Sequence, residues 1–271
     1  MAPMTTRRAI VRIQQGRPAR GPDDLAVESP LLIALDGEPL ATLMRTPGHD
    51  IELTAGWLVV ESGARTPDDV TRLRACWEDE TDRMHVTLAE GVRQPRPRAF
   101  VTSSACGVCS ADILDMSALR SGTPRSPSWT VDFDTLVALP DAMRPRQRAF
   151  ARTGGLHAAG LATAAGDMLV VREDVGRHNA VDKIVGRALL DGQLPATDLL
   201  LVVSGRVSFE IVQKALAAGV AGIVAISAPS SLAVDLCRDN GLLLAGLVRD
   251  GRARQQYFLM PRRSFLEPKK S

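Results

Sequence analysis

The stretch Arg172-Glu173-Asp174-Val175-Gly176-Arg177-His178-Asn179-Ala180-Val181-Asp182-Lys183 decides how the chain folds. It follows directly on the apolar run of residues 168–172, which predicts a buried strand, and it leads into residues 180–190, which predict a helix. Polar groups at the carboxyl end of a strand, where a helix begins, are the usual place for ligands in α/β sheets. A solvated helix start with surface ion pairs is the alternative, but the density of hydrogen-bonding side chains favours a ligand site.

The second half of the chain repeats this order of apolar strand and helix. Such alternation is typical of a central sheet with helices packed on its faces. We therefore assign residues 126–265 to an α/β domain. The sequence predicts strands near residues 160–163, 168–172, 199–204, 223–227 and 242–248, and helices near residues 180–190, 209–218 and 230–240.

The first half has a different pattern. Two strands are predicted over about residues 24–35 and 40–44, joined by a tight turn at Asp36-Gly37. A helix is predicted from Asp50 to Val60, and two further strands near residues 75–80 and 84–88. The pattern predicts a small α+β domain.

The boundaries of this small domain follow from composition. It is assigned to residues 25–125, and it ends in a loop that carries two thiols. Residues 1–24 are rich in Arg, Gly and Pro and are predicted to form a flexible tail, although residues 9–13 could form an edge strand.

Composition argues against several classes of protein. The formal net charge is only +2 and the arginines are dispersed, which argues against a nucleic-acid partner. Four cysteines in 271 residues are too few for a disulfide scaffold, so we expect a reducing, cytoplasmic setting. The N-terminus has no apolar signal-peptide core, and no apolar run is long enough to span a membrane, so no membrane association is expected.

The most reactive segment is Ser103–Ser110, which places Cys106 and Cys109 three positions apart. This spacing suits a dithiol–disulfide couple, half of a zinc site, or sulfur carriage on a persulfide. A helix is predicted to begin near Ser110, and a helix start favours a thiolate, which is the nucleophilic form of cysteine. A structural pair on a tight loop is the unreactive alternative.

Further turns carry groups suited to an anion or a heteroaromatic ligand. Glycines let a backbone approach a ligand closely, and successive N–H groups can bind an anion. Several such turns predict a broad polar rim, suited to a ligand larger than a small metabolite. The turns are Thr153–Gly160 with Gly154, Gly155 and His157, Ser204–Glu210 with Arg206, Ala225–Ser231 with Ser227, and Leu247–Arg252.

Catalytic zinc is disfavoured by the surrounding residues. Zinc-dependent nucleobase deaminases need a His-x-Glu element upstream of Pro-Cys-x-x-Cys. His49 and Glu52 have the wrong spacing, and Ala105 rather than proline precedes Cys106. No metal ligands are therefore assigned.

Together these motifs resemble the FdhD family of formate dehydrogenase accessory sulfurtransferases. The resemblance covers nearly the whole chain, and the motif that ends at Lys183 is highly specific. The matching segments are residues 28–31, the Asp36-Gly37 turn, and residues 104–109, 153–159, 172–183, 203–211 and 227–233.

The resemblance implies a cytidine-deaminase-like three-layer α/β domain beside a smaller N-terminal α+β domain, in a cytosolic homodimer. It also implies a sulfurtransferase that takes sulfur from a cysteine desulfurase as a persulfide on Cys106. The sulfur would pass to the molybdenum cofactor, bis-molybdopterin guanine dinucleotide, before that cofactor enters the catalytic subunit of formate dehydrogenase. The family's cofactor-binding segment matches Leu247–Arg252.

The leading hypothesis is that Cys106 carries the sulfur and Cys109 stabilises or releases it, with no permanently bound metal. A non-enzymatic chaperone that only binds and delivers the cofactor is the alternative. A thiol oxidoreductase ranks last, because the Trp-Cys-Gly-Pro-Cys context is missing. The residues predicted to bind the cofactor and its guanine nucleotides are Gly154, Gly155, His157, Arg177, His178, Ser204, Arg206, Ser227, Leu247, Val248, Arg249, Asp250, Gly251 and Arg252.

Overall fold

A computed structural model describes residues 3–76, 81–97, 101–102, 130–249 and 266–267 of the chain. Its helices are α1 (Asp50–Glu61), α2 (Phe133–Met143), α3 (Arg148–Thr153), α4 (Arg177–Leu190), α5 (Phe209–Ala218) and α6 (Ser231–Asp239). Its strands are β1 (Thr5–Gln14), β2 (Arg17–Ala26), β3 (Ser29–Leu35), β4 (Glu38–Arg45), β5 (Arg72–Cys76), β6 (Asp82–Thr87), β7 (Val101–Thr102), β8 (Val131–Asp132), β9 (His157–Thr163), β10 (Met168–Asp174), β11 (Leu199–Val203), β12 (Gly222–Ala225), β13 (Leu243–Ala245) and β14 (Leu266–Glu267). The predicted mixed α/β class is confirmed.

A five-stranded sheet in the order β10-β9-β11-β12-β13 forms the centre of the second half. Strand β9 runs antiparallel to both of its neighbours, whereas β11, β12 and β13 are parallel. Each parallel crossover is made by one helix, α5 and then α6, as short βαβ connections require. The alternation predicted from the sequence is therefore confirmed, while the specific likeness to a cytidine deaminase stays a prediction.

Helices cover both faces of this sheet. Alternate side chains of a strand point to opposite faces. Leu201 and Val203 pack in one core with helices α1, α4, α5 and α6, and Leu200 and Val202 pack in another with α2. The helices thus bury both faces of the sheet, and its edges and strand ends stay accessible to a ligand.

The first half forms a second five-stranded sheet, in the order β5-β6-β3-β4-β7. The predicted hairpin turn is confirmed, with positive φ angles of 49° at Asp36 and 95° at Gly37. Helix α1 was predicted over residues 50–60 and packs on this sheet through Leu53, Trp57 and Leu58.

The tail predicted over residues 1–24 is corrected by the structure. Strands β1 and β2 pair along their full length as an antiparallel hairpin, with Thr5 opposite Ala26 and Gln14 opposite Arg17. The turn residues Gln15 and Gly16 have positive φ angles of 50° and 79°. Two such angles match the right-handed twist of the strands, and this turn makes the hairpin possible. We call residues 5–26 the arm.

Helices α1 and α4 cross at two glycines, where the helix backbones touch. A Cβ atom built on Gly56 would lie 1.8 Å from the carbonyl oxygen of Asp182, and one built on Gly186 would lie 1.8 Å from that of Glu52. Real Cβ atoms do not approach a backbone so closely, since interiors are already close-packed. The two glycines therefore let the first half dock directly on the second.

Gly56→Ala is expected to lower the free energy of unfolding by about 3 kcal/mol, because the new methyl group can enter only if the helices separate. In an exposed helix the same change stabilises by about 1 kcal/mol, so the sign of the change is diagnostic. Urea unfolding provides the measurement. Gly21→Ala is the control, since a Cβ at Gly21 meets nothing within 4 Å. A Gly56→Ala variant as stable as the wild type would contradict the contact.

Candidate functional site

The predicted polar rim lies at one edge of the central sheet. There the amino end of β9 meets the carboxyl ends of β10, β11, β12 and β13. Backbone bonds join neighbouring turns: Ser204 N–H donates to the carbonyl of Ala158 at 2.9 Å, and Leu247 N–H donates to that of Ser227 at 3.2 Å. The structure thus brings together turns that are up to 90 residues apart in sequence.

Gly205 allows His157 and Arg177 to approach the β11–α5 turn. A Cβ on Gly205 would lie 3.2 Å from the Cβ of Arg177 and 3.4 Å from Nδ1 of His157. Both distances are tight, so a larger residue would push these side chains apart. By contrast, the Ser204 hydroxyl is already used, since its Oγ accepts a hydrogen bond from Ala158 N–H at 2.9 Å. Ser204 therefore fixes the turn.

The rim carries concentrated positive charge. Burial lowers the pKa of His157, and the nearby cations Arg177 and Arg206 lower it further. Burial and Arg206 also lower the pKa of the Arg177 guanidinium. Mutual repulsion of this kind is relieved by a bound anion. The starts of α4, α5 and α6 lie at the same sheet edge and add their N-terminal dipoles.

Arg177 has an unused donor at the rim. Its Nε is buried and has no hydrogen-bond partner among the described residues. Buried donors are nearly always paired, and leaving one unpaired costs about 1–3 kcal/mol. An oxyanion ligand would supply the missing acceptor.

His178 is buried next to the rim and joins the starts of α4 and α5. Its Nε2 lies 3.3 Å from Ser208 Oγ and 3.7 Å from Glu210 Oε2. Burial lowers the pKa of His178 to about 4, and Lys214 and Arg177 contribute in the same direction. Burial raises the pKa of Glu210, but hydrogen bonds from the Ser208 hydroxyl and a backbone N–H, together with the charge of Arg177, lower it overall. At neutral pH a neutral imidazole thus lies beside an ionised carboxylate.

Several polar residues of the long motif support the fold rather than the rim. Lys183 Nζ lies 2.7 Å from Asp174 Oδ2 and donates to the carbonyl of Thr46 at 2.9 Å. Asn179 Nδ2 donates to Asp174 Oδ1 at 3.0 Å and to the carbonyl of Met44 at 2.8 Å. This buried network, which we call the Lys183 network, ties the β4–α1 turn to the start of α4.

Glu173 and Arg172 also have structural partners that the sequence did not reveal. Glu173 accepts hydrogen bonds from the backbone N–H groups of Ala149 and Phe150, at 3.0 and 2.6 Å, and so caps the first turn of α3. Arg172 binds Glu52 of α1 with two hydrogen bonds, at 2.5 and 2.7 Å. Beside the glycine contact and the Lys183 network, this pair is a third link between the two halves.

Several predicted site residues fall outside the described ranges. These are Cys106, Cys109, Asp250, Gly251 and Arg252. Within the predicted segment Leu247–Arg252, Val248 is buried, whereas Arg249 is exposed at the sheet edge. Gly154 and Gly155 are exposed in the turn that leads to His157, so their backbone is accessible.

No helix within the described part of the chain is long and apolar enough to cross a membrane.

Comparison with known proteins identifies the family. The model of the FdhD/NarQ family matches residues 26–263. The chain belongs to the FdhD/NarQ family. This confirms the resemblance drawn from the motifs. Residues 5–25 of the arm precede the region that the family model matches.

Several relatives that match are named sulfur carrier protein FdhD. The protein from Corynebacterium efficiens is 46% identical over 244 residues, covering 85% of this chain and 88% of the relative. That from Streptomyces avermitilis is 46% identical over 267 residues, with 92% of both chains covered. That from Sulfolobus acidocaldarius is 40% identical over 240 residues, with 89% of this chain and 91% of the relative covered.

A solved structure shares the fold. The crystal structure of a formate dehydrogenase accessory protein from Desulfotalea psychrophila superposes with a TM-score of 0.73 at 22% sequence identity. The match covers 95% of this chain and 100% of that protein. Both halves of the chain therefore belong to a fold that is already known.

Stability is expected to fall as the pH drops from about 6.5 towards about 4, and His178 contributes part of this change. Its folded-state pKa of about 4 is below the ordinary 6.5, so within that window the unfolded chain binds a proton that the folded chain rejects. His178→Gln keeps a hydrogen-bonding group but cannot be charged there. Between pH 7 and pH 4.5 the wild type should lose about 2 kcal/mol more than this variant.

Urea unfolding at the two pH values measures the difference, and an NMR titration of the histidine ring protons gives the pKa directly. A His178 midpoint at or above 6 would contradict the buried, neutral imidazole.

Proposed function

We propose that this protein is a sulfur carrier that delivers sulfur to the molybdenum cofactor before the cofactor enters formate dehydrogenase. Membership of the FdhD/NarQ family and relatives named sulfur carrier protein support the first part. The observation that carries the second part is the cationic rim, with the unpaired Nε of Arg177 beside Arg206 and three helix starts. Bis-molybdopterin guanine dinucleotide is rich in phosphate and is bound as a substrate.

The rim suits the nucleotide arms of that cofactor. Phosphate groups bind at helix N-termini and to guanidinium groups, often through paired hydrogen bonds. Arg177 and Arg206 supply the guanidinium groups, and the exposed backbone of Gly154-Gly155 allows close approach. The remaining predicted contacts are His157, His178, Ser204, Ser227 and the segment Leu247–Arg252.

The chemistry we propose takes place on the two thiols. The thiolate of Cys106 attacks the terminal sulfur of a persulfide on a cysteine desulfurase, whose own thiolate leaves. This exchange moves one sulfur atom without net oxidation. Cys109 then attacks the inner sulfur of the Cys106 persulfide, which releases hydrosulfide for molybdenum and leaves a Cys106–Cys109 disulfide. A dithiol reductant supplies the two electrons that restore both thiols.

A cofactor chaperone without sulfur chemistry is the competing function. The rim by itself would support it, because anion binding does not need the thiols. Only the sulfur carrier needs Cys106, whereas both functions need the rim. A cysteine variant therefore distinguishes the two functions, and a rim variant tests cofactor binding.

The test is to incubate the protein with a cysteine desulfurase and cysteine and to map adducts by mass spectrometry. We expect a mass increase of about 32 Da, one sulfur atom, on the peptide that contains Cys106. Cys106→Ala should lose both the adduct and the ability to activate formate dehydrogenase. Arg177→Met should load sulfur normally but fail to activate the enzyme, because the cofactor is no longer held.

Two results would contradict the proposal. An unmodified Cys106 with full formate dehydrogenase activity would favour the chaperone. An Arg177→Met variant that activates the enzyme as well as the wild type would show that the rim does not hold the cofactor.

A further inference from the structure

The arm makes few contacts with the rest of the molecule. No third strand joins β1 and β2 among the described residues. At its base Arg152 binds Asp24 at 3.1 Å, but further out Val11 and Ile13 are 57% and 77% exposed. An isolated two-stranded hairpin is at best marginally stable in water. The arm would therefore gain stability from a partner.

One face of the arm is apolar and the other is charged. Directly paired residues of antiparallel strands point to the same face. The opposite face carries Arg8 and Arg12, and Arg12 binds Asp23 at 2.7 Å. The more apolar face carries Ala9, Val11, Ile13, Pro18 and Pro22, together with Arg20 and, nearer the base of the arm, Arg7 and Asp24.

The prolines show which edge of the arm can accept another strand. Pro18 lies opposite Ile13, and Pro22 lies opposite Ala9. Because proline has no N–H, these are non-hydrogen-bonded pairs. The two kinds of pair alternate along the ladder, so the pair between Val11 and Arg20 is also non-hydrogen-bonded. In such pairs the backbone groups point outward. The outer edge of β2 thus lacks two donors, whereas β1 presents a complete outer edge at Ala9, Val11 and Ile13.

We propose that β1 pairs antiparallel with β1 of a second copy of this chain, about a twofold axis at Val11. The two arms then form a four-stranded sheet, with about six main-chain hydrogen bonds over residues 9–13. The contact is isologous, because each copy offers the same edge. Side by side, the apolar faces of the two arms join, with Val11 beside Val11 of the second copy and Ala9 beside Ile13.

The arginines disfavour the two neighbouring registers. With Val11 opposite itself, Arg12 faces Ile10 of the second copy, and no two arginines of β1 lie directly opposite each other. The bonding pattern allows registers that differ by two residues or a multiple of two. A shift of two residues in one direction places Arg8 opposite Arg12, and a shift of two in the other places Arg12 opposite Arg12. Directly opposed like charges are destabilising.

Cysteine cross-linking tests the register in the full-length protein. Val11→Cys should form a disulfide between two copies on mild oxidation, because opposed residues of such a pair have Cα atoms about 5.5 Å apart, within disulfide range. Peptide mass spectrometry identifies the bond. Arg20→Cys is the matched control, exposed on the same arm but on the proline-blocked strand, and it should not cross-link.

Proline substitution tests the edge. The N–H of Val11 points outward, so Val11→Pro removes no hydrogen bond within the arm but blocks the centre of the proposed contact. Sedimentation equilibrium should show the dimer dissociation constant raised by at least about tenfold. Arg20→Pro, at the opposing position on β2, should leave it unchanged. A monomeric wild type, a dimer unaffected by Val11→Pro, or equal cross-linking at positions 11 and 20 would each overturn the proposal.

Discussion

The buried ion pair between Lys183 and Asp174 is the interaction on which the rest of the structure depends. Both side chains are fully shielded from solvent, and their charged atoms are 2.7 Å apart. Removing two charges from water is costly unless the remaining hydrogen bonds are also made. Here they are: Lys183 also donates to the carbonyls of Thr46 and Glu173, and Asp174 accepts from backbone N–H groups of Thr46 and Gly176. Because the hydrogen bonds of this buried pair are made, it holds the turn at Thr46 against the residues that precede α4.

One of these segments leads directly into the rim. Gly176, held by Asp174, immediately precedes Arg177, so the network sets where α4 begins and where its first guanidinium lies. Thr46 belongs to the turn before α1, so the same network positions the first half of the chain. The Gly56–Gly186 contact and the Glu52–Arg172 pair complete this docking. One continuous motif thus contains both the residues that support the site and the residues that face it.

The sequence predicted the central sheet and the rim because both follow from local patterns. Apolar runs that alternate with helices specify the order of elements, and polar turns at strand ends specify which residues meet. The roles of Asp174, Asn179 and Lys183 were not predictable in this way, since the partners on the β4–α1 turn lie 128 to 137 residues away. The role of Ser204 was not predictable either, because its hydroxyl accepts a hydrogen bond from the backbone of another strand, 46 residues away. The hairpin of the arm was missed, and only an edge strand over residues 9–13 was considered, because the arginines and prolines suggested a disordered composition. Gln15-Gly16 between two alternating segments is nevertheless a hairpin signal.

The central claim is tested most directly by the stability of Lys183→Met. This change keeps the volume of the side chain but leaves Asp174 buried without its counter-ion. We expect the free energy of unfolding to fall by about 3–5 kcal/mol. Arg238→Met, which removes one partner of the exposed Arg238–Asp235 pair, should change it by less than about 1 kcal/mol. Similar small losses in both variants would contradict the claim that the Lys183–Asp174 pair holds the two halves and the rim in place.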